Sequence, residues 1–206
     1  MAYTISADEL KKTLPGYNPT QSEKFHDESQ RLADAAYDVA LRDREETTVV
    51  LTCGGSASGK SEYVSAYLEK RKVIIFDGTL STLKRAHDKI KKAQAAGKTI
   101  EIHAVMPKVF FIAFLVFLNR PRKFPAKHFY RTHSDSRKTL LEVAQIYPKI
   151  PITLIMSSSV VRDDKNGMNF EKLSFPSRAE LIEFLRKRQY TEEEVRQRAR
   201  TIGGLP

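Results

Sequence analysis

The stretch TTVVLTCGGSASGKSEYV, residues 47–64, decides the predicted fold. Its β-branched apolar run predicts a buried strand, and the residues after the glycines carry apolar side chains at helical spacing. Between the two, residues 54–61 match the pattern G-x-x-x-x-G-K-[ST]. A glycine loop that joins a strand to the start of a helix gathers free backbone N–H groups at one point, which suits a bound phosphate. The competing interpretation is an ordinary glycine-rich turn.

The rest of the sequence predicts one α/β domain over all 206 residues. Short β-branched runs alternate with longer helical stretches, and strands separated by helices of this length need crossover connections. We therefore expect a mainly parallel, doubly wound α/β sheet with helices on both faces, and the glycine-loop pattern after its first central strand is typical of P-loop NTPase folds. Residues 48–175 form the predicted α/β core, residues 1–47 a helical N-terminal extension and residues 176–206 the C-terminal helices.

Several local patterns predict individual elements. Capping boxes of the form S/T-x-x-E predict helix starts at Ser6, Thr20, Ser177 and Thr191. The apolar run VFFIAFLVFL, residues 109–118, predicts a buried helix, because it is far shorter than the roughly 20 residues that a membrane span needs. The pair Asn166-Gly167 predicts the turn of a late hairpin.

The charge is uneven along the chain. The net charge is +10, and residues 48–150 hold 19 basic and 7 acidic residues. This excess around the glycine loop suits an anionic ligand such as a nucleotide, a sugar nucleotide or a nucleic acid, although a well-solvated basic surface gives the same pattern. Residues 1–47 hold 6 basic and 10 acidic residues. We expect this acidic segment to pack against the basic remainder.

The single cysteine, Cys53, excludes an intramolecular disulfide and a multi-cysteine metal site. It ends the predicted strand, where a small buried packing residue is expected. The N-terminal sequence lacks the pattern of a secretory signal. Together these features predict a reducing, cytoplasmic location and no membrane association. The five histidines show no metal-ligating spacing, so no zinc site is predicted.

The phosphate-binding interpretation assigns a role to each loop residue. The cofactor-binding set is Gly54, Gly55, Ser56, Ala57, Ser58, Gly59, Lys60 and Ser61. Their backbone would surround the phosphates of ATP, Lys60 would reach the β and γ oxygens, and the Ser61 hydroxyl would bind Mg²⁺. Asp77 ends the next predicted strand, where a carboxylate organises Mg²⁺ or accepts a proton. A loop or capping role for Asp77 is the alternative.

Four other polar residues have local structural interpretations. Thr79 and Ser81 are either helix caps or substrate contacts. Arg131 and Asp135 have the i, i+4 spacing of an ion pair on a helix surface.

No N-K-x-D string is present, which argues against a GTPase.

Three stretches, GGSASGKS, FDGTLSTLKRAHDKIKKAQAAGKTIEIHAV and RKFPAKHFYRTHSDSRKTLLEVA, together resemble the zeta-toxin-like P-loop kinases. The same stretches are similar to polynucleotide kinase and other small-acceptor kinases, and they span roughly residues 48–147. In the family an acidic residue precedes Gly-Thr-Leu, as Asp77 does here. An Arg then lies three residues before a Pro, with a His soon after, and Arg122, Pro125 and His128 match that spacing.

The resemblance implies transfer of the ATP γ-phosphoryl group to a hydroxyl, in the bacterial toxins often one on a UDP-sugar. It implies that Arg122 neutralises charge on the moving group, beside Lys60 and Asp77, although a solvated arginine on a basic loop is the alternative. The expected substrate contacts are Asp77, Thr79, Arg120 and His128. An antitoxin protein becomes a possible partner.

One departure from the family pattern leaves the acceptor open. Members that act on sugar nucleotides carry an Asp-x-Asp segment between the loop and the acidic residue, and its first carboxylate is the general base. Only 15 residues separate Ser61 from Asp77 here, and that segment is missing. Either Asp77 serves both roles or the acceptor differs. A polynucleotide 5′-hydroxyl kinase and a nucleotide-binding module without catalysis are the alternative functions.

Overall fold

The computed structural model describes residues 1–162 and 165–201. Within them the chain forms an α/β fold around a six-stranded sheet with the strand order β1-β3-β2-β4-β5-β6. The strands are β1 (Tyr3–Ser6), β2 (Thr48–Cys53), β3 (Ile74–Asp77), β4 (Thr99–Pro107), β5 (Ile152–Arg162) and β6 (Lys165–Leu173). Strands β1 to β5 pair parallel with one another, and β6 pairs antiparallel with β5. The predicted mainly parallel sheet is therefore confirmed.

The helices are α1 (Ala7–Lys12), α2 (His26–Asp43), α3 (Lys60–Tyr63), α4 (Leu83–Ala95), α5 (Phe110–Asn119), α6 (Ala126–Ile146), α7 (Arg178–Arg186) and α8 (Glu192–Arg200). Helices α1 to α6 connect the parallel strands, and α7 and α8 follow β6. A 3₁₀ segment, Pro19–Phe25, precedes α2, and a π-helical turn, Val64–Leu68, continues α3.

The core lies on both faces of the sheet, as the alternation of buried side chains along β2 requires. Val49 and Leu51 face one side and belong to a large cluster with α2, α4, α6 and α7. Val50 faces the other side and packs with Val64 and Leu68 at the end of the glycine-loop helix. A third cluster joins α5, α6 and α8. Strand β2, which leads directly into the glycine loop, is thus packed on both of its faces.

The N-terminal segment contributes a strand as well as helices. The sequence analysis did not predict β1, which pairs with β3 so that Ser6 lies opposite Asp77. Ion pairs join the acidic helix α2 to the basic helix α4, since Asp34 accepts from Arg85 at 3.0 Å and from Lys89 at 2.7 Å. The expected packing of the acidic segment on the basic remainder is present in these contacts.

The predicted capping boxes have four different outcomes. At Thr191 both bonds of the box form. The Ser177 hydroxyl accepts from the Glu180 N–H at 3.2 Å and caps α7. Ser6 lies at the N-cap of α1 but makes no capping bond. The prediction at Thr20 is wrong, because Asn18 caps the 3₁₀ segment there and α2 begins only at His26.

Two further element predictions need correction. Helix α5 is not fully buried: Phe110, Ala113 and Phe117 face inward, whereas Val109, Ile112, Leu115, Val116 and Leu118 are exposed. The predicted hairpin is present, but Asn166 and Gly167 lie within β6, opposite Val161 and Val160. The two residues between β5 and β6, 163–164, lie outside the described residues. In the described part of the chain, no helix combines the length and apolarity that a membrane crossing requires.

Candidate functional site

The glycine loop follows β2 directly, and its first two glycines are required by close neighbours. A Cβ on Gly54 would lie 2.2 Å from the carbonyl oxygen of Val105 on the adjacent strand. A Cβ on Gly55 would lie 2.3 Å from the His133 ring. Gly54 also has a φ of 139°, a conformation that side chains other than hydrogen rarely allow. The loop backbone is therefore pressed against the end of the sheet.

The loop presents donors toward its open side. Within the described residues, the backbone N–H groups of Ala57, Gly59 and Lys60 donate to no protein acceptor. The Lys60 ammonium donates to the carbonyls of Gly54 at 2.9 Å and Gly55 at 2.8 Å, so its charge lies inside the loop. Burial lowers the pKa of Lys60, against the opposing attraction of Asp77, Cys53 and Asp8. Because the Lys60 ammonium is buried, a nearby anion would stabilise it more than it would stabilise an exposed lysine.

A hydroxyl and a carboxylate meet at the end of the loop. The Ser61 hydroxyl donates to one oxygen of Asp77 at 2.8 Å, and the Thr52 hydroxyl lies 2.9 Å from the other. Thr52 comes from β2 and Asp77 from the end of β3, so the parallel register of the two strands brings these groups together. The prediction that Ser61 and Asp77 form one site agrees with this contact.

Helix α6 supports the loop from the side. The Ser56 N–H donates to the Thr132 hydroxyl at 3.1 Å, and the His133 ring nitrogen Nε2 donates to the Ser56 carbonyl at 2.9 Å. Burial holds the pKa of His133 well below its usual value, so the ring is neutral and can keep this geometry. The sequence analysis did not predict either supporting residue.

The loop opens onto a cleft of about 510 Å³. Most of the predicted site residues line it, namely Ser56, Ala57, Ser58, Gly59, Lys60, Ser61, Asp77, Thr79, Arg120, Arg122 and His128. Gly54 and Gly55 lie beneath it, where they shape the loop. Thr79 and Ser81 line the cleft, and Thr82 is the residue that caps α4. The capping alternative for Thr79 and Ser81 is therefore wrong.

Two arginines reach the cleft from the segment between α5 and α6. Arg122 forms an ion pair with Asp8, the second residue of α1. Arg120 lies over the Phe117 ring at 4.3 Å, and its buried Nε has no hydrogen-bond partner in the described structure. Burial and the neighbouring Arg122 lower the pKa of Arg120 to about 10. Arg120 remains charged at neutral pH, without a carboxylate of its own.

An aromatic wall lies beside these arginines. His128 stacks on Phe124 with the ring centres 4.4 Å apart, and His26 of α2 meets both rings edge-on. Burial, together with the charges of His26, Arg120 and other nearby cations, lowers the pKa of His128 to about 4. At neutral pH the stacked His128 and Phe124 rings of this wall carry no charge.

Several cleft residues were missed by the sequence analysis or assigned another role. Asp8, His26 and Gln30 line the cleft from the N-terminal segment. Arg131 and Asp135 also line it, and the ion pair predicted between them is not among the salt bridges of the described residues. Burial raises the pKa of Asp135. No local sequence signal marks these residues, because the placement of β1 and α1 brings Asp8 to the cleft and the packing of α2 brings His26 and Gln30.

The donor set at the loop end fits Mg²⁺. This ion keeps several waters and takes one or two protein oxygens beside substrate phosphates, which Ser61 and Asp77 provide. The described residues contain no group of three or more His, Cys, Asp or Glu side chains that could hold a metal by themselves. Cys53 is buried, and burial raises the pKa of its thiol to about 12.

No protein-family model matches the chain, and no curated protein matches its sequence significantly. The geometry of the cleft is therefore the basis for a function.

Proposed function

We propose that the protein is an ATP-dependent kinase that transfers the γ-phosphoryl group to a hydroxyl of a small molecule or a nucleotide-sugar. One observation carries the proposal. The glycine loop with Lys60, the Ser61–Asp77 pair and Arg122 face the same cleft. Phosphoryl transfer requires these parts, namely N–H donors, cations and a metal-binding oxygen pair around the phosphates.

The loop residues bind the triphosphate in this proposal. The free N–H groups of Ala57, Gly59 and Lys60 donate to phosphate oxygens. The Lys60 ammonium exchanges the carbonyls of Gly54 and Gly55 for β and γ oxygens, which are stronger acceptors because they are charged. Burial of Lys60 strengthens this attraction, since fewer water molecules compete for it.

The opposite wall acts on the transferring group. Arg122 presents a guanidinium that can contact two anions at once through its several donors. It neutralises charge that develops on the γ-phosphoryl oxygens, and it keeps Asp8 as its second partner. Ser61 and Asp77 hold Mg²⁺, which shields the phosphate charges when bound.

Titration calorimetry with Mg²⁺ and ATP tests nucleotide binding. Lys60→Ala is expected to weaken ATP binding by about 10-fold to 100-fold, because a hydrogen bond between charged groups contributes roughly 1.5–3 kcal/mol. Lys70→Ala, at an exposed lysine, is the matched control and should bind like the parent. If no purine triphosphate binds, or if Lys60→Ala binds ATP as the parent does, the proposal is wrong.

Transfer of labelled γ-phosphate tests the reaction. UDP-sugars and a 5′-hydroxyl oligonucleotide are compared as acceptors, followed by a metabolite extract searched for a mass gain of one phosphoryl group. Asp77→Asn should keep ATP binding and lower transfer by on the order of 10²-fold or more, because it removes a charged oxygen from the group that would hold Mg²⁺. Labelling of the oligonucleotide alone would support a polynucleotide kinase, and ATP binding without any transfer would support a non-catalytic module.

A further inference from the structure

The N-terminal strand delivers a second carboxylate to the candidate site. Strand β1 lies next to β3 in the sheet, with Ser6 opposite Asp77. Adjacent strands are about 4.8 Å apart, so the residues after Ser6 emerge beside Asp77 at the same sheet edge. Asp8 follows in the first turn of α1 and lines the cleft.

The cleft-lining carboxylates of the described structure are not equivalent. They are Asp8, Glu62, Asp77 and Asp135. Both oxygens of Asp77 are engaged by Ser61 and Thr52. Asp135 has a raised pKa because of burial and the nearby Glu192. Glu62 is an exposed residue on α3. Asp8 is the carboxylate whose close partners are cations.

The surroundings of Asp8 keep it ionised and accessible. Burial raises its pKa, but Arg122 and Lys11 outweigh that effect, so the pKa lies below the usual value. The Lys11 ammonium lies 3.6 Å from the Asp8 carboxylate, whose side chain is 45% exposed within the cleft. Asp8 Oδ1 faces Lys11 and Oδ2 faces Arg122, neither of which donates a proton at neutral pH, so the ionised, partly exposed carboxylate can accept one from a bound hydroxyl.

One ion pair and one longer-range charge interaction link Asp8 to the phosphate site. Asp8 pairs with Arg122, the guanidinium that faces the transferring group in the proposed function. Asp8 is also among the charges that act on the pKa of Lys60 in the loop. The Asp8 carboxylate therefore lines the same cleft as Lys60 and Arg122, which contact the phosphates in the proposed function.

We infer that Asp8 is the general base that activates the acceptor hydroxyl. This inference rests on the proposed function. The acceptor oxygen bonds to the γ-phosphorus as its proton moves to the Asp8 carboxylate. The bond between the γ-phosphorus and the bridging oxygen breaks, and its electron pair stays on the β-phosphate of ADP. Arg122 holds the carboxylate and the transferring group next to each other.

The experiment compares Asp8→Asn with Glu9→Gln in the full-length chain. Glu9 is the adjacent acidic residue, exposed and paired with Lys12 at the surface, so Glu9→Gln is the matched control. The probes are labelled ATP with UDP-N-acetylglucosamine, UDP-glucose, a 5′-hydroxyl oligonucleotide and the metabolite extract. Asp8→Asn is expected to lower transfer by 10²-fold to 10⁴-fold, roughly the contribution of a general base. ATP affinity by calorimetry should change by less than about threefold, while Glu9→Gln stays at the parent rate.

Chemical rescue separates a base from a residue that only orders the cleft. Asp8→Ala leaves space for a small carboxylate, and sodium formate is expected to restore part of the transfer rate, whereas equal sodium chloride is not. Transfer by Asp8→Asn within threefold of the parent, or no formate effect on Asp8→Ala, would overturn the inference and leave the proposed function standing. A parent that labels nothing in any of the four probes overturns both.

Discussion

At the scale of single residues, the loop depends on space as much as on donors. Gly55 lies so close to His133 that a Cβ would overlap the ring. Gly55→Ala should therefore destabilise the protein by about 1–3 kcal/mol, a typical result of overpacking. It should also weaken ATP binding, because the loop must move away from α6.

A double-mutant cycle tests this contact. His133→Ala removes the ring, so Gly55→Ala should cost far less in that background. The coupling between the two sites, from urea unfolding, should fall within about 0.5–3 kcal/mol. Additive losses would show that the ring does not restrict the loop.

Individual residues also show how much of the candidate site could be predicted from the sequence. Lys60, Ser61 and Asp77 were predictable because a short local pattern fixes the loop, and the strand end fixes the carboxylate. His133 bonds a residue 77 positions away, and Asp8 reaches the cleft through an edge strand. Such residues carry no local pattern, so their roles depend on tertiary packing.

At the scale of elements, one sequence pattern gave different caps. Thr191 and Glu194 exchange both bonds of a capping box, whereas Ser6 makes no side-chain bond to its helix. Thr191→Ala should therefore lower the free energy of unfolding by about 1 kcal/mol, and Ser6→Ala by clearly less. Equal losses in urea unfolding would show that the observed bonds do not determine helix stability.

The exposure of α5 and the presence of β1 both differ from the sequence-based expectation, and each difference has a physical reason. Helix α5 consists almost entirely of apolar residues, so it has no polar face to indicate which side meets solvent. Strand β1 has four residues and lies at the sheet edge, where the long apolar run of a central parallel strand is absent. By contrast β2, β3 and β4 are largely buried, and their apolar runs made the parallel core predictable.

At the scale of the whole molecule, the acidic N-terminal segment closes one side of a basic core. Asp34 and Asp38 of α2 pair with cations of α4, and Asp8 pairs with Arg122. Even so, Arg120 lines the cleft, and its buried Nε has no hydrogen-bond partner among the described residues. The positive charge that remains at the cleft is what an anionic substrate would meet.

Stability depends on pH at this cleft, because burial and the nearby positive charge both disfavour protonation of His128. The pKa of His128 is about 4 in the folded protein, against 6.5 for the free side chain, because of burial and nearby cations that include His26, Arg120, Arg131 and Lys11. Between these values the unfolded chain binds a proton that the folded protein rejects. Stability from this residue is thus complete above pH 6.5 and is lost as the pH falls toward 4.

Urea unfolding at pH 7 and pH 5 measures this loss. The shift at His128 alone should lower the free energy of unfolding by about 2 kcal/mol between the two pH values. His128→Gln should reduce the pH dependence by that amount, and adding His26→Gln should reduce it further, because burial also lowers the pKa of His26. The lowered pKa values of Asp8 and Asp34 affect stability mainly below pH 4, so they do not disturb the comparison. An unchanged difference in His128→Gln would show that the aromatic wall accepts a proton without loss of stability.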